Sequence, residues 1–334
     1  MNKIFLVLCI AVYSTCASSQ TPDSKQLHET ARTFIKQGDY PNAILVLNRL
    51  IQSEPNDMSV VKDLALSYYF QKDNNKAIEI IKPLLDKDEA NEESFLIAGN
   101  IYDQLNQEKE SEKIIKRGIK KFPESGSLYN ALGELMYSQR NYDAIAEWEK
   151  GIESDPSYSQ NYYNAAKYYF LTPDKVWSII YGEIYLNIEP LGNKTPEIKA
   201  MLLDSYKKLF ANIDLEANNK DKNAFVKAYL LTMNKQTSVA AQGINPETLT
   251  MIRTRFLLEW NYTYGVKFPY FLFDYHKKLL EDGLFDAYNQ WIFGSSQNLA
   301  AFQNWINTHS TEYTAFNNFQ KARDFKMRPG QYYH

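Results

Sequence analysis

A spacing of 34 residues recurs through the N-terminal half of the chain, and it limits what the chain can fold into. Small residues stand at Ala31, Ala65, Gly99, Gly133 and Ala166, and a second small-residue series runs Ala43, Ala77, Ser111, Ala144 and Ser178. Phe34, Tyr68, Tyr102, Met136 and Tyr169 follow the first series by three residues, and Pro55, Glu89, Pro123, Pro156 and Pro190 close the units. One interval of 33 interrupts each series and is explained by one residue missing between Gly133 and Ala144. Within a unit, Leu132, Gly133 and Met136 share one helical face, and Ala144 and Trp148 lie four apart on a second helix. Polar turns at Gln37 to Tyr40, Lys72 to Asn75 and Gln139 to Tyr142 join the two helices. A helix pair this short cannot bury its own apolar face, so stacked neighbours must supply the missing surface.

The period and the run Tyr129-Asn130-Ala131-Leu132-Gly133, Met136, Ala144, Trp148, Pro156 resemble the tetratricopeptide repeat. Five units match, at 24–57, 58–91, 92–125, 126–158 and 159–192. The resemblance implies an all-α, right-handed superhelical α-solenoid of antiparallel helix pairs. Gly118 stands where alanine is usual. Gly182 stands where a bulky apolar residue is expected, and Tyr181 and Tyr185 are expected to fill that layer.

From Thr195 onward the period is lost while helical spacing continues. Thr195-Pro196-Glu197 starts a helix, Phe225, Tyr229 and Leu230 mark another, and Pro246 opens a third through Ile252, Phe256 and Trp260, with a polar connector at Asn218 to Lys222. Residues 268–327 are dense in aromatics, punctuated by Gly283, Gly294 and Thr308 to Thr311. We expect 193–334 to be a divergent helical region capping the solenoid, its aromatics forming core. Residues 328–334 are expected to fray, with docking as the alternative.

Residues 1–19 read as a signal peptide, from Lys3, the apolar run Ile4 to Tyr13, and the small exit Ala17-Ser18-Ser19. A lipid anchor at Cys16 is the lesser alternative, because Tyr13-Ser14-Thr15 departs from the Leu-small-small sequence that precedes lipidated cysteines. Cys9 and Cys16 are the chain's two cysteines, so cleavage before Gln20 leaves no thiol for disulfide, catalysis or metal. The expected location is periplasmic or secreted in a bacterium, with outer-membrane association as an option and no transmembrane span.

Chemistry is hard to find. His28, His276, His309 and His334 are scattered without a metal-ligand spacing, and no nucleophile elbow or phosphate-cradling loop occurs. Gly294-Ser295-Ser296 reads as an interhelix turn, and Glu92-Glu93 and Glu281-Asp282 read as helix-end charges. No catalytic, cofactor or metal residues are therefore expected. A formal net charge of −3 argues against nucleic acid as the main ligand, which needs a concentrated basic face.

What remains is the inner helix face, which the resemblance makes concave and protein-binding. Counting at 100° per residue places Arg32, Lys36, Lys62, Tyr69, Phe70, Asn100, Asn130, Glu134, Tyr137, Tyr163, Lys167 and Phe170 on it, beside His28, Ile35, Leu66, Asp103, Gln104 and Leu171. Aromatic anchors among charges suit a peptide or helix of a cell-envelope protein. The family's clamp for chaperone tails is not reproduced, since Arg32 and Glu93 replace an asparagine and a lysine of that set. The alternative expectation is an accessory subunit of an outer-membrane assembly, docked through the C-terminal aromatics.

Overall fold

The structure is a computed structural model, and it describes residues 23–211, 223–322 and 325–334. The signal segment with Cys9 and Cys16, and the connector at Asn218 to Lys222, lie outside the described residues. Among the described residues the fold is all-α: consecutive antiparallel helix pairs of the solenoid class, and no strand.

Contacts divide the chain after Glu89. The first unit holds α1 (Ser24–Gln37), α2 (Tyr40–Ser53), α3 (Met58–Phe70) and α4 (Asn74–Ile81), with a 3-10 turn at Lys82–Asp86 around Pro83. Ala31, Ala43, Leu47, Leu50, Val60 and Leu64 form its core. The second unit continues the repeats with α5 (Glu92–Gln104), α6 (Glu108–Lys121), α7 (Gly126–Ser138), α8 (Ala144–Ser154), α9 (Ser159–Phe170) and α10 (Val176–Ile188). Each packs on the next within its unit.

The hairpin turns share one backbone device. Gly38, Lys72, Asn106 and Arg140, spaced 34 apart, all take positive φ, between 55° and 76°. In each turn the next amide donates back over the helix end at 2.9 Å: Asp39 to Phe34, Asp73 to Tyr68, Gln107 to Tyr102 and Asn141 to Met136. This left-handed cap satisfies carbonyls that the helix leaves open and reverses the chain. Asp39 and Asp73 then cap the following helix, accepting from the amides of Asn42 and Lys76. The fifth hairpin lacks the device, and there the Lys175 ammonium donates to the carbonyl of Phe170 at 2.8 Å instead.

The small residues do what their spacing requires. A Cβ on Gly133 would run into the Trp148 indole nitrogen, and one on Gly118 would stand 2.8 Å from Phe95. At Gly182 a Cβ would lie 3.0 Å from Leu202 of α11 (Thr195–Leu209), and Tyr181 and Tyr185 on either side are buried in the same core. Glycine is needed because α11 approaches α10 closely.

The remaining helices are α12 (Ala224–Asn234), α13 (Thr237–Ala240), α14 (Pro246–Thr263), α15 (Phe271–Glu281), α16 (Phe285–Asn289), α17 (Ser295–Gln297), α18 (Leu299–Thr308) and α19 (Ser310–Ala322). Asn245 and Thr248 form a reciprocal capping box at the start of α14. Gly283, at φ +70°, ends α15 as expected. Gly294 does not end a helix: α16 and α17 run together through a π-helical stretch at Gln290–Gly294, so the turn expected at Gly294-Ser295-Ser296 is helix. The glycine is there for space, because a Cβ would stand 2.5 Å from Phe302. Phe268, Tyr270, Phe273, Tyr275, Phe285, Tyr288, Trp291, Phe293, Phe316 and Phe325 are buried in one core that reaches back to Trp148.

Within this core a carboxylate is enclosed. Glu183 of α10 pairs with Arg253 of α14, lies 2.8 Å from His276 Nε2 of α15, and accepts from the Tyr288 hydroxyl of α16 at 2.8 Å. Burial alone would push the Glu183 carboxyl up, but Arg253, His276 and Tyr288 hold it at about 2. Asn289 accepts from Arg253, and Asn187 donates to the Tyr288 hydroxyl at 2.7 Å. Such a network ties together helices far apart in sequence.

The fraying expected for 328–334 does not occur. The Tyr333 ring stacks on Phe225 at 4.9 Å, its hydroxyl donates to the Pro269 carbonyl at 2.8 Å, and its own carbonyl accepts from Asn223. His334 is exposed but tethered: Nδ1 lies 3.1 Å from Glu149 of α8, and the ring packs on Trp177 of α10.

Candidate functional site

Between α7 and α9 lies a cleft of about 230 Å³ lined by Glu134, Tyr137, Ser138, Trp148, Asn164, Lys167, Tyr168 and Leu171. Its floor follows from Gly133. With no Cβ there, the Trp148 indole of α8 lies directly against α7, and its Nε1–H has no partner among the described residues. Tyr137 packs on Trp148 with ring centroids 5.6 Å apart and meets Tyr142 edge-on at 5.9 Å. Tyr137 and Leu171 remain exposed on the rim.

Polar groups fix the walls. The Asn164 side-chain amide donates to Asn130 Oδ1 at 2.8 Å and to Glu134 Oε1 at 3.1 Å, bridging the two inner helices. Lys167 pairs with Glu197 of α11 at 2.8 Å and donates to the Tyr163 hydroxyl at 3.0 Å. That hydroxyl donates to Glu197 at 2.9 Å, and Lys194 stands 4.0 Å over the ring. The hydrogen bond from Lys167 holds the Glu197 carboxyl below its usual value, whereas burial first, then Asp143, Glu149 and Tyr137, push the Tyr168 hydroxyl up.

Of the residues expected on the inner face, Glu134, Tyr137 and Lys167 line this cleft. Asn130 is buried beneath it and held by Asn164, and Tyr163 is buried against Glu197 and Lys194 rather than offered as an anchor. Phe170 is half-buried under the Lys208 ammonium, 3.6 Å from its centroid. Asn100 is exposed on α5.

The other five belong to the first unit. Arg32 is not a free cation: its Nε donates to Asp63 at 2.9 Å, beside His28 at 2.7 Å from the same oxygen. Lys36 is exposed, Lys62 and Tyr69 are half-buried, and Phe70 stacks on Tyr40 of α2 at 5.3 Å. Sequence reasoning missed Trp148, Asn164 and Tyr168 as cleft residues. Trp148 reads equally well as core. Asn164 stands 34 residues after Asn130, but the missing residue between Gly133 and Ala144 moves the repeat register one place off it.

A second carboxylate is also buried. Glu149, 6% exposed, accepts from the Tyr169 hydroxyl at 2.7 Å, and burial pushes its carboxyl up to about 7 although Tyr169 and Tyr332 pull against that rise. The space beside the Glu183 cluster is about 10 Å³, no larger than a water. Among the described residues, no group of three or more His, Cys, Asp or Glu is set to hold a metal ion, and no helix is long and apolar enough to cross a membrane.

A family model described as anaphase-promoting complex, cyclosome, subunit 3, matches residues 36–118. The TPR repeat-containing protein YpiA of Bacillus subtilis (strain 168) is 24% identical over 156 residues, which is 46% of this chain and 36% of that protein. The chain thus spans about a third of the length of this curated relative. Among solved structures, TTC0263, a thermophilic TPR protein of Thermus thermophilus, is 13% identical, with 55% of this chain and 98% of that one covered at a TM-score of 0.45. YrrB, described as a TPR protein with an unusual peptide-binding site, is 14% identical over 55% of this chain and 92% of its own, at a TM-score of 0.38.

Proposed function

We propose that the chain, with its tetratricopeptide-like helix pairs, is a non-enzymatic scaffold whose α7–α9 cleft holds a peptide or helix of a protein partner. The observation that carries this reading is the cleft itself: an aromatic floor, an exposed aromatic rim and polar side chains fixed by hydrogen bonds, as in the desolvated pockets that dominate binding energy. The non-catalytic part is supported by the buried titratable groups. Glu183, Arg253 and His276 bind one another in an enclosed space, and Glu149 is covered by Tyr169 and His334.

The cell envelope is the proposed location, on the signal-like residues 1–19. N-terminal sequencing of the mature protein checks it: a start at Gln20 supports export by cleavage, and retention of Met1 counts against it. The binding reading is tested by replacing Tyr137 and Tyr168 with alanine and measuring capture of the partner, with circular dichroism to verify helicity. Loss of the partner from a folded variant is expected, and unchanged capture would move the site elsewhere.

Docking to an envelope assembly remains as a second reading on a different surface. The C-terminal aromatics are mostly core, but Leu258, Tyr262 and Val266 point outward, Tyr262 at 92% and Val266 at 99% exposure. If this reading holds, Leu258→Glu with Tyr262→Glu releases the protein from that assembly while the cleft variant stays attached.

A further inference from the structure

Resting on the peptide-binding reading above, we propose that the α7–α9 cleft takes a cationic side chain, a lysine or an arginine, of its peptide partner.

Three aromatic side chains, Tyr137, Trp148 and Tyr168, line the cleft, and each ring face carries the negative side of its quadrupole. Tyr137 lies against Trp148 and Tyr168 supplies another part of the lining, so an inserted side chain has three aromatic rings for neighbours. A cation within about 6 Å of such faces is attracted, and the attraction grows when water is excluded.

The charges point the same way. Glu134 stands in the lining, and its one partner among the described residues is the neutral amide of Asn164. Asp143 adds its field at the Tyr168 hydroxyl, contributing after burial to the rise of that group. The cation present, Lys167, is already met by Glu197 and turned toward α11 by its bond to the Tyr163 hydroxyl. An incoming carboxylate would face Glu134 across aromatic rings, and a purely apolar side chain would cover Glu134 without compensating it. A lysine or arginine instead lays its methylenes on the rings and its charge beside the carboxylate.

Size restricts the ligand further. About 230 Å³ is below the ~300–1,000 Å³ of pockets that enclose whole small molecules, and suits one long side chain delivered by a peptide.

The test is selection of a random dodecapeptide display library on the full chain, followed by affinities of the selected peptides for wild type, Glu134→Gln and Tyr137→Ala. Both substituted side chains are exposed, and circular dichroism verifies the fold. The expected result is a lysine or arginine common to the selected sequences. Its replacement by methionine should weaken binding about tenfold, Glu134→Gln should weaken it several-fold, and wild-type affinity should fall with salt. Peptides that lose binding with Tyr137→Ala but carry no required cation would overturn this inference and leave the peptide-binding reading standing. Failure to select any peptide, or selected peptides indifferent to Tyr137→Ala, would overturn both.

Discussion

Arg140 shows how a single residue carries the repeat geometry. It holds φ at 61°, where side chains are strained, because the Asn141 amide must reach the Met136 carbonyl. Arg140→Gly should therefore raise stability by about 0.5–1 kcal/mol, read as a higher urea midpoint at unchanged slope. Glu149 gives a pH prediction. Its folded carboxyl titrates at about 7, above the ordinary value of 4.5, so its contribution to stability is fully present below about pH 4.5 and is lost as pH rises through 7. The loss approaches ~3 kcal/mol across that window, and Glu149→Gln, which keeps an acceptor for the Tyr169 hydroxyl, should flatten this part of the stability profile.

At the scale of helices, two kinds of packing make different predictions. Gly133→Ala would drive a Cβ into Trp148 and should destabilise by about 1–3 kcal/mol while disturbing the cleft floor, so thermal midpoint and partner affinity should fall together. The Glu183–Arg253 pair joins α10 to α14. Arg253→Leu alone strands a buried carboxylate and should cost about 3–5 kcal/mol, whereas adding Glu183→Met should recover much of that loss in urea denaturation. These two cases also mark what was legible in the sequence. Gly133 stands in a small-residue series at repeat spacing, so a close helix approach there could be read directly, while the side chain that meets it, Trp148, is seen only in the structure. Glu183 meets Arg253 across 70 residues and His276 across 93, and no local spacing announces such pairs. Gly294 misled for a related reason: glycine is needed both for turns and for close approach, and which need applies depends on Phe302 packing above it.

For the molecule as a whole, the repeat period gives the helix pairs and their order, and the C-terminal helices form a common core with the later repeats. Functional legibility is less complete. The inner-face residues were identifiable by counting, yet half of a binding surface depends on what the neighbouring helix does. Tyr163 and Asn130 are on the expected face and are taken up by Glu197 and Asn164, while Trp148, from an outer helix, reaches the cleft through the gap left by a glycine. The most direct measurement compares partner capture by wild type, by the double variant Tyr137→Ala and Tyr168→Ala, and by the control pair Leu258→Glu and Tyr262→Glu, using tagged protein and mass spectrometry. A partner lost only with the cleft variant is the expected result. A partner retained by a folded cleft variant and lost with the control would contradict it.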